Sequence, residues 1–398
     1  MTSPSLPVLR LKPKTKPQAI RRGYPWVYAN EVVTDRRTKA MAPGTVAMLE
    51  DSDRSPLALV GVNPNSKIIG RVLGGPEGEA PDQAWFAARL RKALSLRERL
   101  YPTPFYRLVH AEADGLPGVI IDRFGDIAVI QPNAAWADVL LPELVTALAE
   151  VTGVTTILKN AGGRGRALEG LDDVDAVLMG DMPDAPVLVE MNGATYMADL
   201  VSGQKTGLFF DQRPNHAFAA SLAQGGRVLD VFSHVGGFGL AALAGGAASA
   251  LCVDGSEAAL ALASDGAARM GKTDALTVQK ADAFAALTEL GEAKAEFDLV
   301  ICDPPAFAPS HKARDAGLRA YERIARLAAP LVSEDGYLVL CSCSHAADLS
   351  SFTGACLRGI GRAGRRAQLL HTGTAGPDHP LMPQLAESGY LKALFFRL

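Results

Sequence analysis

The sequence is short of the groups that staple, anchor or metallate a chain. Its 398 residues include five cysteines (Cys252, Cys302, Cys341, Cys343 and Cys356). They are odd in number and contain no CxxC pair, which argues against a disulfide scaffold and a zinc finger. The seven histidines are scattered without an HxxxH pair, so no metal site is expected. No apolar run approaches the ~20 residues of a membrane helix. The N-terminal MTSPSLPVLRLKPK has no apolar stretch leading to a small-residue cleavage site, so no secretory signal is read there. The expected location is the cytoplasm.

What is present is unevenly charged. The net charge of −3 comes from 40 basic and 43 acidic residues. Residues 1–40 hold nine of the bases and only two of the acids, leaving 31 bases and 41 acids for the remainder. The basic stretch includes Arg21 and Arg22 and surrounds the aromatic run Tyr24-Pro25-Trp26-Val27-Tyr28. A run of bases alone reads as a solvated face, but interleaved aromatics are what a protein needs to stack and hold RNA.

Short β-like runs bounded by Pro and Gly then suggest a β-rich module over residues 1–76. Residues 77–200 read as a central α+β domain: a helix over 82–100, strand-like runs with Asp-Gly and Pro-Gly turns, a helix over 134–152, and a hairpin at Asn192-Gly193. Residues 201–398 alternate strand and helix regularly, the pattern of a doubly wound parallel sheet. Ligands of such sheets bind beyond the carboxyl ends of the strands.

The strand ends carry the chemistry. The first closes on Asp230 and a turn containing Gly236, Gly237 and Phe238. That turn lets backbone approach a ligand, or is simply a tight strand-to-helix connection. It is not a GxGxxG turn, which weighs against a nucleotide-cofactor oxidoreductase. Asp254 ends the second strand, placed for the hydroxyls of a ribose, and Asp282 ends the third, placed for an adenine edge. Each alone reads as a helix N-cap, Asp254 through the box Asp254-Gly-Ser-Glu257. Together they outline a pocket for a nucleoside-bearing cofactor.

The fourth strand ends in Asp303-Pro304-Pro305-Ala306-Phe307, a stiffened loop offering a carboxylate, carbonyls and a ring to a planar base. The fifth runs into Cys341-Ser342-Cys343-Ser344. A thiolate there can act as a nucleophile, and alternation alone does not choose between Cys341 and Cys343; Cys343 is favoured as nearer the loop. Lys205, Thr206, Asp211 and Arg213 lie in a Gly-punctuated stretch before the sheet, readable as a cofactor cover, a basic lip for RNA or an interdomain brace.

In this order the motifs resemble the RlmI-type 23S ribosomal RNA (cytosine-5) methyltransferases. The resemblance spans essentially the whole chain. It rests on Arg21-Arg22 with Pro25-Trp26-Val27-Tyr28, Glu112-Ala-Asp114-Gly115-Leu-Pro117-Gly118, Lys205-Thr206-Gly207 with Asp211-Gln212-Arg213, Asp230 with Gly236-Gly237-Phe238, Asp303-Pro304-Pro305-Ala306-Phe307, and Ser342-Cys343-Ser344. Ala306 departs from it, standing where many relatives have Lys.

The resemblance implies an α/β protein with an N-terminal PUA-like β-barrel for RNA, a central α+β domain, and a C-terminal Rossmann-like methyltransferase domain of seven strands whose last strand, YLKALFFRL, is antiparallel. It implies S-adenosylmethionine as cofactor, 23S ribosomal RNA as partner, and Cys343 as the nucleophile. A homodimer is compatible with the sequence. Asp303 would assist the target base, with Arg21, Arg22, Trp26, Arg213, Pro304 and Phe307 on the substrate side. The other readings are methyl transfer to an exocyclic amine of adenine or guanine, which needs no cysteine, and a non-catalytic RNA-binding protein.

Overall fold

The short apolar runs of the basic N-terminal region fold as strands in a computed structural model that describes residues 6–203 and 207–398. β1 (Val8–Arg10), β2 (Trp26–Tyr28), β3 (Thr45–Glu50), β4 (Pro56–Val62) and β5 (Ile68–Gly74) form a sheet of order β1-β3-β4-β5-β2. Only β1 and β3 pair in parallel. Leu9, Val27, Leu49, Val60 and Ile69 are its fully buried centre, and the short helices α1 (Gln18–Arg21) and α2 (Arg36–Lys39) interrupt the strands.

A second sheet, of order β10-β9-β8-β7-β6, follows: β6 (Phe105–His110), β7 (Val119–Phe124), β8 (Ile127–Pro132), β9 (Thr156–Lys159) and β10 (Ala176–Met179). The predicted helix over 82–100 is α3 (Gln83–Leu100), capped by the Asp82 carboxylate. The helix expected over 134–152 is broken at Leu140, ahead of Pro142, into α4 (Ala135–Val139) and α5 (Leu141–Thr152). A short α6 (Arg164–Glu169) precedes β10. Both sheets belong to one unit, residues up to Met182, to which Asp378–Ser388 return.

The second unit comprises Pro183–Pro377 and Gly389–Leu398. Its hairpin, β11 (Val187–Met191) and β12 (Ala194–Ala198), turns at Asn192 and Gly193, both with positive φ as a type I′ turn requires. The hairpin thus belongs to this unit, whereas the sequence placed it in the central domain. α7 (Arg213–Leu222) leads into a seven-stranded sheet of β13 (Arg227–Val231), β14 (Ser249–Asp254), β15 (Leu276–Lys280), β16 (Phe297–Cys302), β17 (Val332–Ser342), β18 (Gln368–Gly373) and β19 (Lys392–Arg397). The order is β15-β14-β13-β16-β17-β19-β18.

Six strands run one way and β19 opposes both neighbours, so the last strand is the antiparallel one, as expected. The connections are α8 (Gly237–Ala244), α9 (Glu257–Arg269), α10 (Ala283–Glu292), α11 (Arg314–Ala328) and α12 (Leu349–Arg362). Leu229, Val300 and Leu338, from three central strands, are fully buried, as expected for a sheet covered on both faces. Strand order reverses between β13 and β16, and ligand crevices form at such switch points. Among the described residues no helix is long and apolar enough to cross a membrane.

In the first unit the Glu112-Ala-Asp114 stretch is a structural knot. Glu112 accepts from the Trp26 indole at 2.9 Å and from Arg71 at 3.1 Å, joining β2 and β5 to the second sheet. Asp114 holds the fully buried Arg97 through two 2.7 Å bonds and also accepts the His110 N–H. Arg97 makes its remaining bonds to the carbonyls of Arg107 and Asp378. Asp114→Ala strands a guanidinium among carbonyls, and breaking such a buried pair costs about 3–5 kcal/mol. Denaturant unfolding should show a loss of this size, with a clearly smaller loss in Arg97→Met/Asp114→Leu.

Candidate active site

Four of the predicted carboxylates stand at the carboxyl ends of neighbouring strands, Asp230 on β13 and Asp303 just after β16 at the switch point, Asp254 on β14 and Asp282 after β15. After β13 the backbone is contorted: Phe232 and His234 have φ of 64° and 51°, uncommon for residues with side chains. The turn is held by Ser233 N–H to the Val253 carbonyl and by His234 N–H to Asp254 Oδ2 at 2.8 Å. Asp254 Oδ1 accepts the Ser256 N–H, and Ser256, not Asp254, caps α9. The capping-box reading therefore shifts by two residues, because Asp254 is engaged in tying two strand ends together. Asp282 is exposed and does cap α10, accepting the Ala285 N–H.

The glycines of the turn are required by the protein's own packing. Gly236 has φ +80°, and a Cβ on Gly237 would stand 2.9 Å from Nε2 of the buried His216. The His216 ring packs against Phe238 at 4.4 Å between centroids, and burial pushes its pKa down to about 3. Asp230 is fully buried; its Oδ2 accepts the Gly239 N–H at 2.8 Å, while Oδ1 has no partner among the described residues. Burial is the main cause that raises its pKa to about 7, the Gly239 bond opposing and Asp254 adding to it.

Across the switch point, Asp303 Oδ2 accepts Gln212 Nε2 at 2.9 Å. Gln212 is itself oriented by Asn215, whose amide reaches Gln212 Oε1 at 2.6 Å and the Thr374 carbonyl at 3.2 Å. Cys341 is buried beside this pair, and burial first, then the Asp303 charge, raises its thiol well above the usual range.

Cys343 lies one residue past the end of β17 and is partly exposed. The serines on either side of it are fully buried. Ser342 Oγ donates to the Tyr321 hydroxyl at 2.9 Å, and Ser344 Oγ lies 2.8 Å from the same hydroxyl. Ser344 Oγ also accepts the Ala308 N–H at 3.0 Å, so the cysteine turn and the Asp303 loop are bonded to each other.

The remaining predicted residues fall variously. Pro304 is buried, and Phe307 packs among Phe232, Phe284 and Tyr321. Asp211 Oδ2 accepts the Tyr390 hydroxyl at 2.6 Å, and its Oδ1 is buried without a partner among the described residues. Arg213 is buried with its guanidinium over Phe210, a placement that suits positioning better than contact with a phosphate. Lys205 and Thr206 lie outside the described residues.

In the first unit, Trp26 lines a hollow of about 120 Å³ with Lys16, Ile20 and Tyr24. The indole is flanked edge-on by Tyr24 and Tyr28. Arg21 pairs with Asp51 at 3.2 Å, and Arg22 is exposed. Gln212, Asn215 and Tyr321 are positioning residues that sequence reading passed over. Gln212 stood inside a quoted motif, but Tyr321 has no local signature, since a helix residue meets the end of β17 only through the fold.

Comparison with known proteins accords with this geometry. A family model for S-adenosylmethionine-dependent methyltransferases matches residues 153–397, and a PUA-like domain model matches residues 9–74. The chain belongs to the S-adenosylmethionine-dependent methyltransferases with a PUA-like domain. A ribosomal RNA large subunit methyltransferase from Deinococcus radiodurans is 35% identical over 408 residues, covering 99% of this chain and 98% of the relative. Ribosomal RNA large subunit methyltransferase I from Shewanella denitrificans is 34% identical over 394 residues, covering 98% and 99%. A solved SAM-dependent methyltransferase chain from Streptococcus mutans shares the fold, with a TM-score of 0.82, 21% identity and coverage of 99% and 100%. A methyltransferase solved with SAH does likewise, at 0.83 and 20%, covering 99% and 100%.

The methyltransferase's own residues fit that cofactor. Each Asp254 oxygen accepts one backbone N–H and keeps acceptor capacity for a ribose hydroxyl. Asp230 Oδ1 is a buried acceptor that lacks a donor among the described residues. A carboxyl that burial holds against ionisation gains from a ligand bearing N–H donors and positive charge, and S-adenosylmethionine carries both.

Asp230 also makes a test of pH dependence. Its folded-state pKa lies above the unfolded value, so the ligand-free protein loses stability from this group as pH rises from about 4 through about 7. The depressed His110 and His216 act in the opposite sense. Thermal unfolding of wild type and Asp230→Asn should therefore diverge over this interval, the variant gaining relative stability with pH by at most about 1.4 kcal/mol per unit. Parallel curves would contradict the burial argument.

Proposed function

We propose that the protein transfers a methyl group to carbon-5 of a cytosine in large-subunit ribosomal RNA, with Cys343 as a covalent nucleophile. The observation that carries this reading is the turn around Cys343. Two buried serines bonded to one tyrosine hydroxyl hold it, one of them is bonded to the Asp303 loop, and the thiol between them is left partly exposed. A methyltransferase acting on an exocyclic amine has no use for such a thiol. The names of the full-length relatives support large-subunit ribosomal RNA as the substrate class.

Carbon-5 of cytosine is a weak nucleophile, so activation must come first. The Cys343 thiolate adds to carbon-6, and the ring's electrons become available at carbon-5. Asp303, held by Gln212, accepts from the 4-amino group as a carboxylate or, when it carries a proton, donates to N3 and offsets the negative charge that the ring takes on there. S-adenosylmethionine, when bound, supplies an electrophilic methyl carbon. Carbon-5 takes that methyl as the methyl–sulfur bond breaks to leave a neutral thioether. Transfer of the carbon-5 proton to a base then restores the carbon-5–carbon-6 double bond and expels the cysteine as thiolate. Asp254 and Asp230 hold the cofactor's ribose and amino acid portions in this reading, and Asp282 the adenine edge. The target base must leave its stack to be reached, at a cost of ~a few kcal/mol unless the RNA is already open.

Cys343→Ala incubated with large-subunit RNA and labelled cofactor should lose methylcytosine formation by about a thousandfold or more. Cys341→Ala should keep it. Undiminished 5-methylcytosine in the Cys343 variant would sink the covalent mechanism. Methylated adenine or guanine in the nucleoside digest would replace the target.

A further inference from the structure

Lys392 is the first residue of β19 and pairs in register with Ser342, the residue before Cys343. A lysine here is unexpected, because the strand that follows is Ala-Leu-Phe-Phe and wholly buried. Lys392 itself is only 8% exposed. Its Nζ donates to the Ser344 carbonyl and to the Ala347 carbonyl, each at 2.8 Å. Those carbonyls lie at either end of the turn that leaves Cys343 and enters α12. Two neutral carbonyls satisfy two of the ammonium's three N–H groups and none of its charge. Burying an ammonium on such terms is costly unless an anion stands nearby.

The charged and titratable groups that face it come from several elements. The Cys343 thiol and the exposed His345 are on the same turn, the His345 ring lying 5.7 Å from that of Tyr390, and the Asp348 carboxylate is at the cap of α12. Tyr321 reaches the turn from α11 through Ser342 and Ser344. Asp348 is exposed and already engaged by Ser351 and Arg314. Burial lowers the Lys392 pKa, and the Cys343 charge is the first of the influences that raise it again. Electrostatic coupling is reciprocal, so a lysine favoured by the thiolate also favours the thiolate.

We propose that Lys392 is a positioning residue that pins the Ser344–Ala347 turn and supplies the positive charge against which the Cys343 thiolate forms. The proposal rests on Cys343 being the nucleophile, but its test reads the thiol directly. Alkylation of Cys343 by iodoacetamide in the full-length protein, followed across pH by peptide mass spectrometry, gives the thiol's midpoint. Lys392→Met should raise that midpoint by about one unit or more, and the acidic limb of the methylation pH profile should move with it. Lys392→Arg should restore both.

Where Lys392→Met fails to fold, Lys392→Gln keeps a donor for the turn without the charge and should show the same shift. A folded uncharged variant with an unchanged alkylation midpoint overturns the proposal, whatever its activity. Activity lost without a shift overturns it as well, leaving Lys392 only a packing role. If Cys343→Ala remained active while the midpoint still moved with Lys392, the nucleophile assignment would fall and the Lys392–Cys343 coupling would stand.

Discussion

The Tyr321 hydroxyl is the point on which the geometry of the Cys343 turn depends. It stands between Ser342 and Ser344, each within 2.9 Å, and Ser344 in turn accepts the Ala308 N–H. One phenol on α11 therefore ties the end of β17 to the loop that follows β16. A cysteine placed between two anchored residues has little freedom in its backbone, while its side chain can still reach outward. Small hydroxyl residues are what such a turn needs: they supply hydrogen bonds without bulk and satisfy themselves when buried.

Much of this was legible from one dimension. Five apolar runs each ending in a polar or small residue predicted the sheet, and the carboxyl-end rule pointed to Asp230, Asp254 and Asp303 without any contact being known. The hairpin at Asn192-Gly193 was legible for a similarly local reason, since both residues tolerate positive φ. What could not be read was everything that depends on which strand lies beside which. Gln212 beside Asp303, Lys392 beside Ser342 and Tyr321 beside Ser344 are separated by 91, 50 and 23 residues. No periodicity spans such intervals. The sheet order, with β19 inserted between β17 and β18, creates the second of them, while the turn before α7 and the helix α11 bring in Gln212 and Tyr321.

The same contrast separates the two kinds of motif in the chain. Glu112 and Asp114 lie in a stretch as distinctive as the Asp303 loop, yet their carboxylates are consumed by Trp26, Arg71, Arg97 and the His110 backbone. Distinctiveness of sequence marks an unusual local demand, and a buried arginine is as demanding as a substrate. The glycines after β13 make the same point. A Cβ there would meet His216 or Cys252 before any ligand, so the turn's composition is explained by packing. What points to a ligand is instead Asp230 Oδ1, a buried acceptor that no donor among the described residues answers.

The near-neutral total charge is a sum over opposed local demands. Bases dominate the first forty residues, in and around the PUA-like sheet, while the acids that matter sit at strand ends of the methyltransferase sheet. A polyanion is attracted by exposed bases, and Arg22 is of that kind. A cationic cofactor stabilises the ionised form of a carboxyl that burial otherwise holds against ionisation, and Asp230 is a carboxyl of that kind. The two cannot share one surface without each neutralising the other's field. Segregating them into separate units of the chain lets each field keep its sign, and a small net charge is then what such a division leaves behind.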